Sequence, residues 1–282
     1  MKKRQIIFIV FALIIILFAC LWKGIMISEG FTDIEKITTK LKYVNLVLYS
    51  DDREYNEMKE ITQVFYDKFE NVKTIYYNFD DKINEEYKME GNVLKIKGKE
   101  SYVPGILDKT VKAMEYVVNY EYDYLVRSNI STIVDFKLLD EELTKKPMEY
   151  GGGLINNLQN LDENAGIKNQ TYFGLKYVSG TSIIMSKKTL KTMIENKDKI
   201  DYKILDDVSI GLLMRFLKKE PSLIKEGSFL MVSEANGDTE KIIKMISEKP
   251  YIFYRNRNSD RKTDVKQMQI IVDYLLKLKH TK

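Results

Sequence analysis

From Ile6 to Trp22 the chain carries no charged side chain and consists mostly of isoleucine, phenylalanine and leucine. Inside a bilayer there is no water to satisfy backbone polar groups, so a segment of this kind spans as a helix. Seventeen residues reach the lower end of the roughly 17–25 that a spanning helix needs. Gly24-Ile25-Met26-Ile27 extends the run past Lys23, whose amine can snorkel to the interface. Lys2-Lys3-Arg4 precede it, and the positive-inside rule places that end in the cytoplasm. The expected layout is a cytoplasmic tail (1–5), a signal-anchor (6–27), a short polar stem (28–42) and a globular domain (43–282). The domain would face the Golgi or ER lumen or the cell exterior. Two other readings stay open. A cleaved signal peptide has a shorter apolar core and a small-residue cleavage site, which this run lacks. Leu17-Phe18-Ala19-Cys20 is similar to a lipobox, with phenylalanine a poor fit at its second position.

Charge and composition exclude several classes. The formal net charge is +4, from 45 basic and 41 acidic residues, and four of the basic residues lie in the anchor and its flanks. The rest of the chain is balanced, so no global field for nucleic acid is implied. Residues 251–282 nevertheless hold eight Lys/Arg against three Asp. Cys20 is the single cysteine, so no intrachain disulfide forms and the domain relies on its core. The one histidine, His280, stands near the C-terminus, which argues against a histidine-based triad or zinc site. Neither a Walker-type phosphate loop nor a G-x-G-x-x-G fingerprint occurs.

Beyond the stem, β-rich runs alternate with apolar residues at helical spacing. Strands are expected at 43–49, 72–77, 93–96, 122–126 and 182–185. Helices are expected from Met58 to Phe69, over 106–120 and 187–196, from Asp207, and over 260–278. Tyr150-Gly151-Gly152-Gly153 reads as a loop. The alternation predicts an α/β domain with a mostly parallel, Rossmann-like sheet flanked by helices. In such sheets ligands bind at the carboxyl ends of the strands. That selects Tyr49-Ser50-Asp51-Asp52 after the first strand and Arg127-Ser128-Asn129 after the strand ending at Val126. Ordinary turn chemistry explains such residues equally well. Asp206-Asp207 open a helix, where one carboxylate caps and the other is spare to act as a base. Tyr254-Arg255-Asn256-Arg257 sets guanidiniums beside aromatics, a match for diphosphate oxygens or simply a solvated basic surface.

Three blocks in order resemble the β-1,3-galactosyltransferase and Fringe-like glycosyltransferases. The first joins Glu100-Ser101-Tyr102 and Leu107-Asp108-Lys109-Thr110 to Tyr122–Asn129. The second is Tyr177-Val178-Ser179-Gly180-Thr181 with Ser186, similar to their "Y-x-S-G" element. The third, Asp206-Asp207-Val208-Ser209-Ile210-Gly211, is similar to their "D-V-x-x-G". The resemblance covers most of residues 43–260. It implies a GT-A fold, a nucleotide-sugar donor (a UDP-sugar) and inverting transfer to an acceptor hydroxyl on a glycan, glycoprotein or glycolipid. Asp207 would be the general base, with Asp206 next in line. Lys109, Ser179, Gly180 and Thr181 would line the donor site, and Gly151, Gly152 and Gly180 would let backbone approach the sugar. The chain departs from the family at its D-x-D triplet, which is Arg127-Ser128-Asn129 here, and at its late histidine, where Phe253 and Tyr254 stand. Mn²⁺, which needs carboxylate ligands, has no such triplet to hold it. Arg127 with Arg255, Arg257 or Arg261 would then neutralise the leaving diphosphate. The same loss leaves open a catalytically silent sugar- or protein-binding module.

Overall fold

Short apolar runs separated by amphipathic segments bury both faces of a sheet under helices, and the chain does this. The computed structural model describes residues 36–280, the side chains of 278–280 excepted. The expected tail (1–5), anchor (6–27) and beginning of the stem lie outside the described residues. Among the described residues, no helix is long and apolar enough to cross a membrane.

Thirteen strands and seven α-helices are described. The strands are β1 (Tyr43–Leu48), β2 (Val72–Asp80), β3 (Tyr87–Glu90), β4 (Val93–Lys97), β5 (Tyr124–Asn129), β6 (Thr132–Val134) and β7 (Tyr150–Gly152). They continue with β8 (Ile155–Asn157), β9 (Lys176–Val178), β10 (Ile183–Ser186), β11 (Ser222–Leu223), β12 (Phe229–Met231) and β13 (Phe253–Arg255). The helices are α1 (Arg53–Tyr66), α2 (Gly105–Val117), α3 (Phe136–Lys145), α4 (Lys187–Glu195), α5 (Asp206–Phe216), α6 (Thr239–Ser247) and α7 (Arg261–His280).

The main sheet has eight strands in the order β11-β7-β10-β5-β1-β2-β4-β3. Its centre is parallel: β1 pairs with β2 and β5, and β2 with β4. Strand β10 runs antiparallel to both β5 and β7, and β3 antiparallel to β4. Small sheets β12-β13-β6 and β8-β9 complete the fold. Strand β1 shows how the sequence builds the layers. Alternate residues of a strand face opposite sides. Tyr43 and Val47 join a cluster with Met58 and Phe65 of α1 and Met268 and Ile271 of α7. Val44 and Leu46 join Val111 and Met114 of α2, Leu190 of α4 and Ile210 of α5 on the other face. Each such buried side chain contributes about 1.5–3 kcal/mol.

Three segments differ from the sequence expectation. Residues 37–42, assigned to the stem, are pinned to the domain. Ile37 bridges to Phe69, and the amides of Lys40 and Leu41 both donate to the Asp140 carboxylate at 2.9 Å. Arg127-Ser128-Asn129 do not follow the strand but form its last half, in register with Leu46-Val47-Leu48. Tyr150-Gly151-Gly152 are not a loop but β7, between β10 and β11. Helices α3 and α6 lie where no helix was expected.

Candidate active site

The chain passes outward from β1 to β2 and β4, then returns to set β5 on the opposite side of β1. At such a reversal the loops leaving the two central strands diverge and open a crevice at their carboxyl ends. A cleft of about 610 Å³ lies there. Its lining runs from Leu48, Tyr49 and Ser50 at the end of β1 to Asn129, Ile130 and Ser131 at the end of β5. The start of α5 with the Ser179–Thr181 turn forms one wall, and Arg255, Arg257 and Arg261 another.

The carboxylate wall is organised by Arg127, which is 1% exposed. Its Nη2 meets Asp206 Oδ2 at 2.5 Å, Nη1 donates to the Gly180 carbonyl, and Nε donates to the Tyr77 hydroxyl at 3.2 Å. Burial works against the charged guanidinium, but Asp206 and Tyr77 outweigh it and raise its pKa. Nε and Nη1 donate hydrogen bonds, and Nη2 faces Asp206 as an ion pair without a hydrogen bond of its own. Arg127, expected to neutralise a leaving diphosphate, does line the cleft, and its bonds make it a strut that holds Asp206 and the 179–181 turn. A side chain at position 180 would collide with that guanidinium, which accounts for the glycine.

Asp207 is half-buried at the head of α5. Its Oδ2 accepts from the Gly180 amide at 3.0 Å and its Oδ1 from the Val208 amide at 2.9 Å. Burial, then the neighbouring Asp206 charge, push its pKa up to about 7, against the opposing pull of those amides and Arg127. A carboxylate accepts about four hydrogen bonds, so Asp207 retains free lone pairs. A carboxyl group poised near neutrality can take up and release a proton.

Between the walls lies Lys109, 2% exposed, whose Nζ donates to both oxygens of Glu100 (2.8 and 2.6 Å) and to the Tyr49 carbonyl. Burial lowers its pKa, with Glu100 opposing. On the arginine wall, Arg255 is 7% exposed and its side chain bonds only Ser131 Oγ and Thr132 Oγ1, through Nη1. Burial, then Arg261, lower its pKa to about 10. Arg261 pairs with the buried Asp264 at 2.5 Å and lies over the Tyr55 ring at 5.6 Å.

The structure therefore gathers Asp206, Asp207, Ser50, Lys109, Arg127, Asn129, Ser179, Gly180, Thr181, Arg255, Arg257 and Arg261 around one cleft. It leaves out five expected residues. Asp52 caps α1, accepting from the Tyr55 amide, and Asp51 accepts from the Asn56 side-chain amide at 3.0 Å. Ser128 alternates to the other face of β5 from Arg127 and Asn129. A Cβ on Gly151 or Gly152 would strike the carbonyls of Ser222 or Ser182, so these glycines serve close strand packing. Tyr55, Glu100, Ser101, Tyr102 and Ser131 line the cleft without having been singled out as site residues. For Glu100, Ser101 and Tyr102 the signal was present, since they open the first resembling block. Tyr102, 52% exposed, stands at the rim.

The residues present do not fit a resident divalent metal. Among the described residues no group of three or more His, Cys, Asp or Glu is assembled. The cleft's carboxylates are already engaged: Glu100 by Lys109, Asp206 by Arg127 and Asp207 by two backbone amides.

No family model and no curated protein matches the sequence. Among solved structures, the chain is similar to the glycosyltransferase GlyE of Streptococcus pneumoniae TIGR4, at 12% identity and a TM-score of 0.39. Its apo form gives 12% and 0.40, and in both cases the match covers 85% of this chain. The chain spans 63% of the length of that protein's chain. At this distance the likeness assigns no residue a role.

Proposed function

We propose that this protein is an inverting glycosyltransferase of GT-A type. It would move a sugar from a nucleotide donor, a UDP-sugar, to an acceptor hydroxyl of a glycan, glycoprotein or glycolipid. The observation that carries the reading is the pairing, in one cleft at the topological switch point, of a near-neutral carboxyl (Asp207) with unpaired guanidinium (Arg255). The resemblance of Tyr177–Thr181 and Asp206–Gly211 to glycosyltransferase motifs supports it from the sequence.

Asp207 takes the proton of the acceptor hydroxyl. The oxygen attacks the anomeric carbon from the face opposite the leaving group. The bond from that carbon to the diphosphate oxygen breaks, and the nucleoside diphosphate departs with the electron pair. Arg127 keeps Asp206 paired so that it does not compete for the proton, and the Gly180 amide orients Asp207. Membrane attachment through residues 6–27, with the domain lumenal or extracytoplasmic, belongs to the same proposal and rests on the Lys2-Lys3-Arg4 flank. The test is nucleotide release from a panel of nucleotide sugars with candidate acceptors, alongside thermal stabilisation by each donor. No release and no stabilisation across the panel would end the reading.

A second reading, a sugar- or protein-binding module without turnover, is favoured by one observation. Both Asp207 oxygens already accept backbone amides at the head of α5, as a purely structural carboxylate would. Donor stabilisation without nucleotide release would select it.

A further inference from the structure

The geometry points to a metal-independent diphosphate seat on the arginine wall, formed by Arg255, Arg257 and Arg261 with Ser131, which grips a diphosphate diester by fixed cations. This rests on the donor class proposed above.

A buried guanidinium normally has a carboxylate partner, because an uncompensated buried charge is costly. Arg255 has none. Among the described residues no carboxylate lies within ion-pair distance, and its side-chain bonds run from one nitrogen to two hydroxyls. Its neighbours add to the imbalance, since Arg261 and Arg257 both oppose its charge and Asp264 is the one carboxylate that offsets them. Asp264 is itself committed. It pairs with Arg261 and accepts from the Asn258 amide and side chain at 2.9 and 2.7 Å. Three guanidiniums against one paired carboxylate leave two positive charges on this wall. A sugar diphosphate diester carries two negative charges; a monophosphate diester carries one.

The seat is also rigid. Arg255 ends β13, between β12 and β6, and its strand partner is Thr132. Asp264 ties the Asn256–Asn258 turn to the first turn of α7, and Tyr55 of α1 supports Arg261. Cations fixed before the ligand arrives stabilise charge that grows on a leaving group without reorganising. Guanidinium suits the task through its planar, bidentate fork. The same seat would accept a nucleoside diphosphate or a polyprenyl diphosphate, which share this chemistry.

The experiment is calorimetric titration of the full-length chain in detergent with inorganic pyrophosphate, in EDTA and then in Mn²⁺. Pyrophosphate should bind in EDTA, more tightly than inorganic phosphate. Arg257→Ala, at an exposed position, should weaken binding about tenfold to a hundredfold, the scale of one charge-assisted contact, as should Arg255→Gln if it folds. UDP and farnesyl diphosphate distinguish the source: the tighter binder in EDTA names it, and either result supports the seat. Binding that requires Mn²⁺, no binding at all, or indifference to Arg257→Ala overturns it. Pyrophosphate binding without any sugar transfer would leave the seat standing and defeat the transferase reading instead.

Discussion

Replacing Arg127 by methionine separates a structural strut from a ligand contact. The guanidinium and Asp206 are 1% and 5% exposed and meet at 2.5 Å. Removing one partner of such a pair leaves a buried charge uncompensated, a cost of about 3–5 kcal/mol. The Gly180 carbonyl and Tyr77 hydroxyl lose a donor as well. In a domain of this size each kcal/mol moves the midpoint by about 2–4 °C, so the variant should melt about 6–20 °C lower. Thermal and urea unfolding followed by circular dichroism measure this. Adding Asp206→Leu removes the stranded carboxylate, and the double variant should recover most of the loss. Where Arg127→Met is still folded, its pyrophosphate affinity should match the parent's, because Asp206 already balances the Arg127 charge. A loss below about 1 kcal/mol, or a folded variant with weakened pyrophosphate binding, would refute the strut and restore Arg127 to the diphosphate.

Asp207→Asn should lower sugar transfer at least about a hundredfold while leaving donor binding near the parent value, as loss of a general base does. Parent transfer should rise with pH through about 7, falling to about a tenth of its plateau one pH unit below, because only the deprotonated Asp207 accepts the proton; a profile flat from pH 5 to 9 would move the base elsewhere. The same substitution should stabilise the fold most at pH 8, by less at pH 5, and not at pH 3. The native state binds a proton that the unfolded state has released between the ordinary carboxylate pKa and about 7, so stability falls as pH rises across that window, by up to about 4 kcal/mol. Protease added to sealed, right-side-out vesicles of lumenal origin should spare residues 36–280, and digestion there would reject the proposed topology.

The layers of the fold were legible where one rule dominated. Tyr43–Leu48 is apolar on both faces because it is covered on both, and the helical spacing of Met58, Ile61 and Phe65 marks the side of α1 that faces the sheet. The rule that ligands bind at strand carboxyl ends located the cleft, since Ser50 and Asn129 do line it. What failed was the reading of polar residues as boundaries. Arg127 and Ser128 were placed beyond the strand because charge seldom lies inside a sheet, yet Asp206, some eighty residues on, supplies the countercharge that admits Arg127. No local pattern announces that pairing. Gly151 and Gly152 looked like a loop for the same reason: the carbonyls that exclude a side chain there belong to Ser222 and Ser182, distant in the chain. Asp52 is occupied by capping α1 and Asp51 by the Asn56 side chain and the Tyr49 hydroxyl, so local contacts account for both.

The cleft's charges divide into those that are closed and those that are open, and the division bears on mechanism. Arg127 with Asp206 and Lys109 with Glu100 are ion pairs whose charges balance inside the protein. Asp207 and Arg255 are the exceptions, and each is held in a state its surroundings oppose. Burial and Asp206 disfavour the charged carboxylate, so it accepts a proton readily near neutrality. Burial and two arginines disfavour the guanidinium's charge, so an arriving anion relieves it. Both arrangements cost folding free energy, and neither improves packing. A displacement at an anomeric carbon needs these two services together, a group that removes a proton from the nucleophile and another that receives negative charge from the leaving group. A binding module needs the second and gains nothing from the first. The stability of Asp207→Asn at pH 8 therefore bears on function: a gain there would mean that the native chain retains a costly carboxylate, which a silent module has no reason to keep.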